Sequence, residues 1–147
     1  MKLFWYLLDL LTSQWIRISG ESMLPTLRDG QWVRASRVTL RRRSPQRFDV
    51  VRFEAPVDGL RFDVKRVVGL PWEEIELRDG ALYVDGRAVD SEITGGGDAK
   101  WSTGEAEYVM LGDNRAHSTD SRRYGVVNRR ALRGTIKAAG RQDENGH

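Results

Sequence analysis

The fold is indicated by the stretch Ile75-Glu-Leu-Arg-Asp-Gly-Ala-Leu-Tyr-Val84, in which an Asp-Gly pair separates two strand-like runs. This pattern is a strong signal for a β-hairpin, because Asp and Gly accept the positive φ angles of a tight turn. Further short runs of β-forming residues, separated by more Asp-Gly pairs, follow one another from residue 15 onward. They predict strands over residues 15–19, 31–35, 49–53, 62–68, 74–77, 81–84, 108–111 and 133–138. Many short strands and few helices favour an antiparallel all-β core of the barrel or sandwich kind.

Three segments lack a strand or helix pattern and are predicted to be loops. Residues 41–45 are an arginine run that ends at a proline, residues 94–104 contain three consecutive glycines, and residues 142–147 are a polar tail. The chain has 147 residues, which is the length of about one domain. We predict a short apolar helix over residues 1–14, one β domain over residues 15–140 and a tail over residues 141–147.

Composition excludes several classes of functional site. The chain has no cysteine, so it contains no disulfide, no thiolate metal site and no cysteine nucleophile. It has two histidines, and one of them is the last residue, which leaves too few for a three-histidine metal centre. We therefore expect neither a metal nor a cofactor. The 24 basic residues against 21 acidic ones give a net charge of +3, which permits an anionic partner without requiring one.

The N-terminal stretch MKLFWYLLDLLTSQW is apolar but short. Its unbroken apolar run covers residues 3–8, and Asp9 interrupts it before two more leucines. A membrane-spanning helix needs about 20 apolar residues, so this stretch is not expected to cross a bilayer. Two interpretations remain open. The helix lies at a membrane surface, with Trp5, Tyr6 and Trp15 at headgroup level, or it packs on the protein's own body or on a partner.

A serine with catalytic potential lies in the segment Ser19-Gly-Glu-Ser-Met-Leu-Pro-Thr-Leu27, between two predicted strands. Pro25 fixes its own φ angle and favours an extended Leu24, so the turn can hold the Ser22 hydroxyl outward. The same turn can direct the backbone N–H groups of residues 20–22 toward one point, as an oxyanion hole requires. The alternative is an ordinary Ser/Gly/Pro turn.

Two residues are candidates for the base that would activate this serine. His117 is the only internal histidine, and its polar surroundings are typical of a solvated loop. Lys65 lies in the strand-like run Phe62-Asp-Val-Lys-Arg-Val-Val68, whose alternation places Asp63 and Lys65 on one face and Arg66 on the other. Burial in such a strand would lower the pKa of the lysine and make it a general base. The alternative is a lysine on an edge strand, where it discourages aggregation.

A third segment, Gly112-Asp-Asn-Arg-Ala-His-Ser-Thr-Asp-Ser-Arg122, is dense in hydrogen-bonding side chains and follows an apolar strand. A solvated turn rarely needs so many donor and acceptor types, whereas a network that orients a base uses them. If the segment is extended, Ser118 and Asp120 share one face.

Together these segments resemble the bacterial type I signal peptidases, a family of serine endopeptidases that use a Ser/Lys dyad. Ser22-Met-Leu-Pro-Thr-Leu27 is similar to the family's nucleophile motif, and Asp49-Val-Val-Arg-Phe53 is similar to the strand motif after it. Lys65-Arg-Val-Val-Gly-Leu-Pro71 is similar to the lysine motif, although Trp72 stands where typical members continue with glycine. The segment over residues 112–122 is similar to the final motif. The four motifs occur in the family's order, and the resemblance covers about residues 16–138.

The resemblance implies a role for each matching residue. Ser22 would be the nucleophile, Lys65 the general base and Ser118 the hydroxyl that orients Lys65. The backbone N–H groups of Ser22 and Gly20 would form the oxyanion hole. The remaining implied residues are the supporting polar network of Asp120, Arg122 and Arg66, and the pocket walls Ile18, Met23 and Val64.

The implied activity is cleavage of signal or leader peptides from precursor proteins after small residues, through an acyl-enzyme. The substrate would bind in an extended conformation beside a strand. The implied fold is the family's antiparallel β core, with its insert reduced to a hairpin and a loop over residues 72–108. The resemblance also implies association with a bacterial membrane surface or a membrane partner, with the catalytic domain on the extracytoplasmic side. No nucleic acid is expected as a partner.

Two other functions remain open. One is a specialised maturation protease or a self-cleaving Ser/Lys switch like the SOS repressors. Only about 15 residues precede the β core, which are too few for a helix-turn-helix domain. The other is a non-enzymatic basic β module that binds nucleic acid or anionic lipid. Its binding residues would be Arg34, Arg37, Arg41, Arg42, Arg43, Arg47 and Arg52, which have few aromatic neighbours in the sequence.

Overall fold

The computed structural model describes residues 1–89 and 93–137, and it is mainly β. The helices are α1 (Lys2–Thr12), α2 (Arg37–Arg42) and α3 (Ser121–Tyr124), and 3-10 turns cover Arg115–His117 and Arg129–Ala131. The strands are β1 (Gln14–Arg17), β2 (Trp32–Ser36), β3 (Val50–Glu54), β4 (Phe62–Gly69), β5 (Glu74–Arg78), β6 (Ala81–Val84), β7 (Arg87–Ala88), β8 (Ala99–Ser102), β9 (Glu107–Leu111), β10 (Val127–Asn128) and β11 (Leu132–Lys137).

Seven of these strands form one antiparallel sheet that curls into a half-barrel. Their order is β1-β2-β11-β3-β4-β9-β10. One apolar cluster, which includes Phe53 and Met110, packs on one face of this sheet. A second cluster, which includes Met23 and Val33, packs on the other face. The predicted antiparallel all-β core with a short N-terminal helix is confirmed.

Strand β4 places Lys65 on the face of the sheet that carries the first cluster. Lys65 pairs with Val51 of β3 and Asp63 pairs with Phe53, so both side chains share the face of these buried residues. Val64 points to the opposite face, beside the second cluster. The predicted alternation is confirmed. Because β4 lies between β3 and β9, the alternative of a lysine on an edge strand is wrong.

The segment between β4 and β9 forms a second sheet with the order β7-β6-β5-β8. The predicted hairpin is confirmed, because β5 and β6 are antiparallel partners joined at Asp79-Gly80. The loop predicted over residues 94–104 is wrong for Ala99–Ser102, which pairs with β5 as strand β8. Only two residues of β8 are partly buried, so the alternation of buried and exposed residues is very short. Because three glycines also lie close by, this alternation is not recognisable in the sequence. The insert is therefore a small sheet rather than a hairpin and a loop.

Helix α2 occupies part of another predicted loop. The Ser36 hydroxyl caps its N-terminus by accepting a hydrogen bond from the Thr39 N–H at 3.4 Å. Arg41 and Arg42 form its last turn, where positive charge is favourable, so the loop predicted over residues 41–45 is wrong for these two residues. The end of the last predicted strand, at residue 138, and the predicted tail over residues 142–147 lie outside the described residues.

Helix α1 is attached to the β core through a buried carboxylate. Asp9 is 3% exposed and accepts hydrogen bonds from the Ser36 hydroxyl, from Arg34 at 3.3 Å and from Lys137 at 2.7 Å. Burial raises the pKa of Asp9, but the hydrogen bonds from Lys137 and Ser36 and the two positive charges outweigh it and hold the pKa below its usual value. The interpretation of α1 as a helix packed on the protein's own body is confirmed.

The opposite side of α1 is apolar and exposed. The exposed fractions of Leu3, Leu10 and Leu11 are 68%, 51% and 82%, and that of Phe4 is 63%. Among residues 1–89 and 93–137, no helix combines the length and the apolar composition that crossing a membrane requires.

Trp72 adopts a backbone conformation that favours glycine. Its φ angle is 62° and its side chain is 73% exposed. The left-handed region of φ and ψ costs a non-glycine residue about 1–2 kcal/mol of folding free energy. A change to glycine recovers only part of that cost, because glycine loses more conformational freedom on folding. We predict that Trp72→Gly raises the free energy of unfolding by about 0.5–1 kcal/mol, measured by urea denaturation. Trp72→Ala is the control, because it removes the indole and keeps the Cβ; an equal gain in both variants would contradict the prediction.

Candidate active site

Ser22 lies in a turn that is anchored by buried side chains on its C-terminal side. Met23 and Leu27 are 2% and 1% exposed, and the Leu27 N–H donates to the Met23 carbonyl at 2.9 Å. The Leu24-Pro25 peptide bond within the turn is cis. Ser22 itself is half-buried. The turn therefore holds the serine hydroxyl at the boundary between the core and solvent.

The Lys65 amine is in direct contact with this hydroxyl. Lys65 Nζ lies 2.5 Å from Ser22 Oγ, and Lys65 is 5% exposed. Burial lowers the pKa of Lys65, and the negative charges of Asp63 and Asp120 oppose burial without cancelling it, so the pKa stays below its usual value. A lysine with a lowered pKa is more readily neutral, and only the neutral amine can accept the serine proton.

The segment after β9 fixes the position of the serine turn. The Asn114 N–H donates to the Ser22 carbonyl at 2.9 Å, and the Asn114 side-chain amide donates to the Glu21 carbonyl at 3.1 Å. The Thr26 hydroxyl donates to Asp113 at 2.5 Å. Three hydrogen bonds thus join two segments that lie far apart in the sequence. The sequence predicted the polar character of this segment but not the roles of Asn114, Asp113 and Thr26.

Arg66 belongs to a network that differs from the predicted one. Its guanidinium forms two hydrogen bonds to the Asp113 carboxylate, at 2.8 and 2.7 Å, and a third to the Phe48 carbonyl at 2.8 Å. The Asp113 side chain is 1% exposed. Arg66 therefore supports the site through Asp113 and not through Asp120. The sequence contains both aspartates, and it does not show which of them Arg66 binds.

Asp120 is fully buried and saturated with donors. Arg122 donates to its two oxygens at 2.9 Å each, the Gly112 N–H donates at 3.0 Å and the Ser118 hydroxyl donates at 2.8 Å. Burial raises the pKa of Asp120, but the hydrogen bonds from Arg122, Gly112 and Ser118 outweigh it and hold the pKa below its usual value. The predicted pairing of Asp120 with Arg122 is present, and the carboxylate is a charged neighbour of Lys65.

Ser118 lies beside the serine turn, but its hydroxyl is bonded to Asp120. The hydrogen bonds of the described residues include none between Ser118 and Lys65, so the predicted contact that would orient the amine is not made in this conformation. His117 is exposed, as expected for a loop histidine.

The backbone donors of the predicted oxyanion hole are not equivalent. The Gly20 N–H donates to the Asp29 carboxylate at 2.8 Å, so it is not available to a substrate carbonyl in this conformation. The Ser22 N–H has no acceptor among the described residues. Of the two predicted donors, the structure leaves the Ser22 N–H free.

The predicted pocket walls are mostly enclosed. Ile18 and Met23 are 6% and 2% exposed and belong to the second apolar cluster, whereas Val64 is half-buried at the margin of that cluster. Val64 therefore offers the most surface of the three.

Several arginines of the basic-module alternative are occupied within the protein. Arg34 pairs with Asp9, Arg43 with Asp49 and Arg47 with Glu73. Arg52 lies over the Phe62 ring at 4.2 Å. Three of the seven arginines therefore already have an acidic partner within the protein.

A serine hydroxyl held against a buried lysine amine on an all-β frame is an arrangement suited to a hydrolase with an amine base. Comparison with known proteins agrees with this class. The family model described as signal peptidase, peptidase S26, matches residues 2–139. The chain belongs to this family and is a peptidase.

Individual relatives support the assignment. The chain is 33% identical over 141 residues to signal peptidase I V of Bacillus subtilis (strain 168), which covers 84% of this chain and 83% of that protein. It is 31% identical over 141 residues to signal peptidase IB of Staphylococcus aureus (strain COL), with 81% and 73% covered. The crystal structure of a signal peptidase I from Enterococcus faecalis V583 superposes with a TM-score of 0.60 and 29% identity, covering 65% of this chain and 98% of that one.

Gly112 is a position where the site tolerates no side chain. A Cβ there would lie 2.1 Å from Ser118 Oγ and 2.6 Å from the Ser22 carbonyl oxygen. We predict that Gly112→Ala lowers the free energy of unfolding by about 1–3 kcal/mol and lowers peptidase activity about 100-fold, because the serine turn must shift. Gly104→Ala is the control, because its Cβ would meet only the Glu107 side chain, at 3.4 Å. Equal activity of the two variants would show that the close approach at Gly112 does not position Ser22.

Proposed function

We propose that this chain is a serine endopeptidase of the signal peptidase I type, which removes signal or leader peptides from precursor proteins after small residues. Ser22 is the nucleophile and Lys65 is the general base. The observation that supports this proposal most directly is the 2.5 Å contact between Ser22 Oγ and the buried Lys65 Nζ. The relatives named signal peptidase I supply the substrate class.

The chemistry follows from the positions of the two side chains. Neutral Lys65 takes the proton of Ser22 as Oγ attacks the scissile carbonyl carbon, and the Ser22 N–H stabilises the oxyanion. The Lys65 ammonium then gives this proton to the leaving amine, and an acyl-enzyme remains. A water molecule gives a proton to Lys65 and attacks the carbonyl carbon of the ester. The Lys65 ammonium returns this proton to Ser22 Oγ as the C–Oγ bond breaks, which releases the acid and regenerates both Ser22 and the neutral amine.

The substrate is proposed to bind in an extended conformation beside Val64. Ile18 and Met23 are 6% and 2% exposed, and we propose that with Val64 they form the floor of shallow depressions beside Ser22. Shallow depressions accept small side chains and exclude large ones, which agrees with cleavage after small residues.

The assignment of the nucleophile and the base predicts a set of variant activities. We expect Ser22→Ala to lose activity at least about 1,000-fold and to keep its stability, because only the hydroxyl is removed. Lys65→Arg should lose activity to a similar degree although it keeps the charge, since arginine does not give up its proton. The assay is cleavage of a precursor peptide with alanine at positions −1 and −3, with a peptide carrying phenylalanine at −1 as control. A Ser22→Ala activity within tenfold of the original would overturn the proposal, and intact-mass analysis of the enzyme alone would detect self-cleavage instead.

The lowered pKa of Lys65 also predicts how activity and stability depend on pH. A lysine whose folded pKa lies below its unfolded pKa costs stability as pH falls through the window between the two values. Activity should also fall on acidification through the folded pKa, because the protonated amine cannot accept the proton of Ser22. Lys65→Met should be inactive and at least as stable as the original at neutral pH, measured by thermal melting. A Lys65→Met variant that melts several degrees lower and still cleaves would leave Lys65 as a structural lysine.

We also propose that the exposed side of α1 lies against a bacterial membrane, with the catalytic domain on the extracytoplasmic side. Trp15 and Trp32 are 63% and 59% exposed. Because Trp15 pairs with Arg34 and Arg17 pairs with Trp32, both tryptophans lie on one face of the β1–β2 ribbon. Arg34 on this face reaches Asp9 of α1, so the helix lies on the same side. Tryptophans beside exposed leucines are typical of surfaces that enter the membrane interface.

Binding to vesicles tests this orientation. We predict that the triple change Leu3→Ser, Leu10→Ser and Leu11→Ser strongly reduces co-sedimentation with phosphatidylglycerol vesicles and leaves the β content unchanged. Substitution is preferable to deletion of residues 1–13, because deletion would leave Arg34 and Lys137 without Asp9. Leu60→Ser is the control, since Leu60 is 73% exposed on the loop between β3 and β4. Equal binding of the triple variant and the control would exclude α1 as the membrane-binding surface.

A further inference from the structure

Asp63 lies on the same strand face as Lys65 and close to it. Two residues along a strand place their side chains on one side about 7 Å apart, within reach of a strong electrostatic interaction in a buried site. Asp63 is opposite Phe53 and Lys65 is opposite Val51, so both belong to the covered face of β4. The Asp63 side chain is only 12% exposed. The transfer of the Ser22 proton to Lys65 does not itself involve this carboxylate.

Two side chains from outside β4 hold this carboxylate in place. Arg61 donates to Asp63 through Nε at 3.0 Å and through a terminal nitrogen at 2.9 Å. The Tyr124 hydroxyl of α3 donates to Asp63 at 3.3 Å. The Tyr124 ring packs edge-on against Phe53, with 6.4 Å between ring centroids, which fixes the direction of its hydroxyl. Asp63 is therefore held by donors rather than free to turn to solvent.

We propose that Asp63, fixed by Tyr124 and Arg61, is a positioning residue that stabilises the Lys65 ammonium formed when Ser22 gives up its proton. The inference rests on the proposed function, because it concerns the charge that the general base acquires. The proton moves from Ser22 Oγ to Lys65 Nζ, and the resulting positive charge lies in a buried place where Asp63 compensates part of the lost hydration.

Among the charged groups around Lys65, Asp63 does most to oppose the effect of burial on the pKa of the lysine. Burial lowers the pKa of Lys65; Asp63 raises it most, Asp120 raises it as well, and Arg61 and Arg122 lower it. Asp120 is already bonded to Arg122, Gly112 and Ser118. Arg61, the cationic partner of Asp63, has a side chain that is 45% exposed, so solvent screens its charge.

Tyr124 is suited to hold Asp63 without changing its own charge. Burial, together with the negative charges of Asp63 and Asp120, raises the pKa of Tyr124 well above its usual value. The hydroxyl therefore remains a neutral donor throughout the pH range in which Lys65 titrates. The contact with Asp63 is a constant feature of the site rather than a second titrating group.

Titration of Lys65 by NMR tests the proposal without depending on activity. The chain has only four lysines, Lys2, Lys65, Lys100 and Lys137, so selective 13C labelling of lysine gives four ε-carbon signals, and Lys65→Met assigns the one of interest. We expect Asp63→Asn to lower the pKa of Lys65 by about 0.5–1 unit and Tyr124→Phe to lower it by a smaller amount. Glu54→Gln is the matched control, because Glu54 lies on the neighbouring strand and pairs with Arg133. An unchanged Lys65 titration in Asp63→Asn would overturn the proposal, and if that variant does not fold, an unchanged titration in Tyr124→Phe would do so.

A pH profile of peptide cleavage gives the second readout. The acidic limb of kcat/KM should move to lower pH in Asp63→Asn, and the plateau should fall about three- to tenfold, because the ammonium is less stabilised. A purely structural role would lower the plateau without moving the limb, and that result would overturn the proposal. If the original enzyme and Glu54→Gln do not cleave the peptide at any pH, the proposed function fails, whereas the NMR titration still decides the role of Asp63.

Discussion

The contact between the Lys65 amine and the Ser22 hydroxyl is the interaction on which the candidate active site depends. A buried lysine is unfavourable in its charged form, so the site exists only where the surrounding structure fixes its position. Lys65 obtains this position from a central strand, with β3 on one side and β9 on the other. Ser22 obtains its position from a turn anchored by Met23 and Leu27. The two parts meet because the segment after β9 is bonded to both of them.

Two carboxylate–arginine pairs fix the segment after β9, one by joining it to other parts of the protein and the other from within the segment. Asp113 joins Arg66 of β4 to Thr26 of the serine turn, while Asp120 joins Arg122 to the backbone of Gly112. Buried pairs of this kind gain little net stability, because desolvation offsets their attraction, but losing one partner leaves an uncompensated charge. Their contribution is therefore geometric: they permit one arrangement of the two segments and penalise others.

The sequence predicted the features that depend on local pattern. The alternation in β4 placed Asp63 and Lys65 on one face, and the Asp79-Gly80 turn marked the hairpin. It did not predict β8, because that strand is defined by pairing with β5 rather than by its own residues. Nor did it predict that Arg66 would select Asp113, or that Asp29 would engage the Gly20 amide. These contacts depend on how distant segments pack, which local periodicity does not encode.

The orientation of α1 is the reverse of that of an ordinary surface helix. Such a helix turns its leucines toward the core and its charges toward water, whereas α1 buries Asp9 and exposes Leu10 and Leu11. The buried carboxylate has sufficient partners in Lys137 and Ser36, so the polar side of the helix is satisfied by the protein. The exposed leucines gain nothing from water. An apolar environment on the outer side, continuous with Trp15, would satisfy both sides of the helix at once, and this is the physical basis for placing a membrane there.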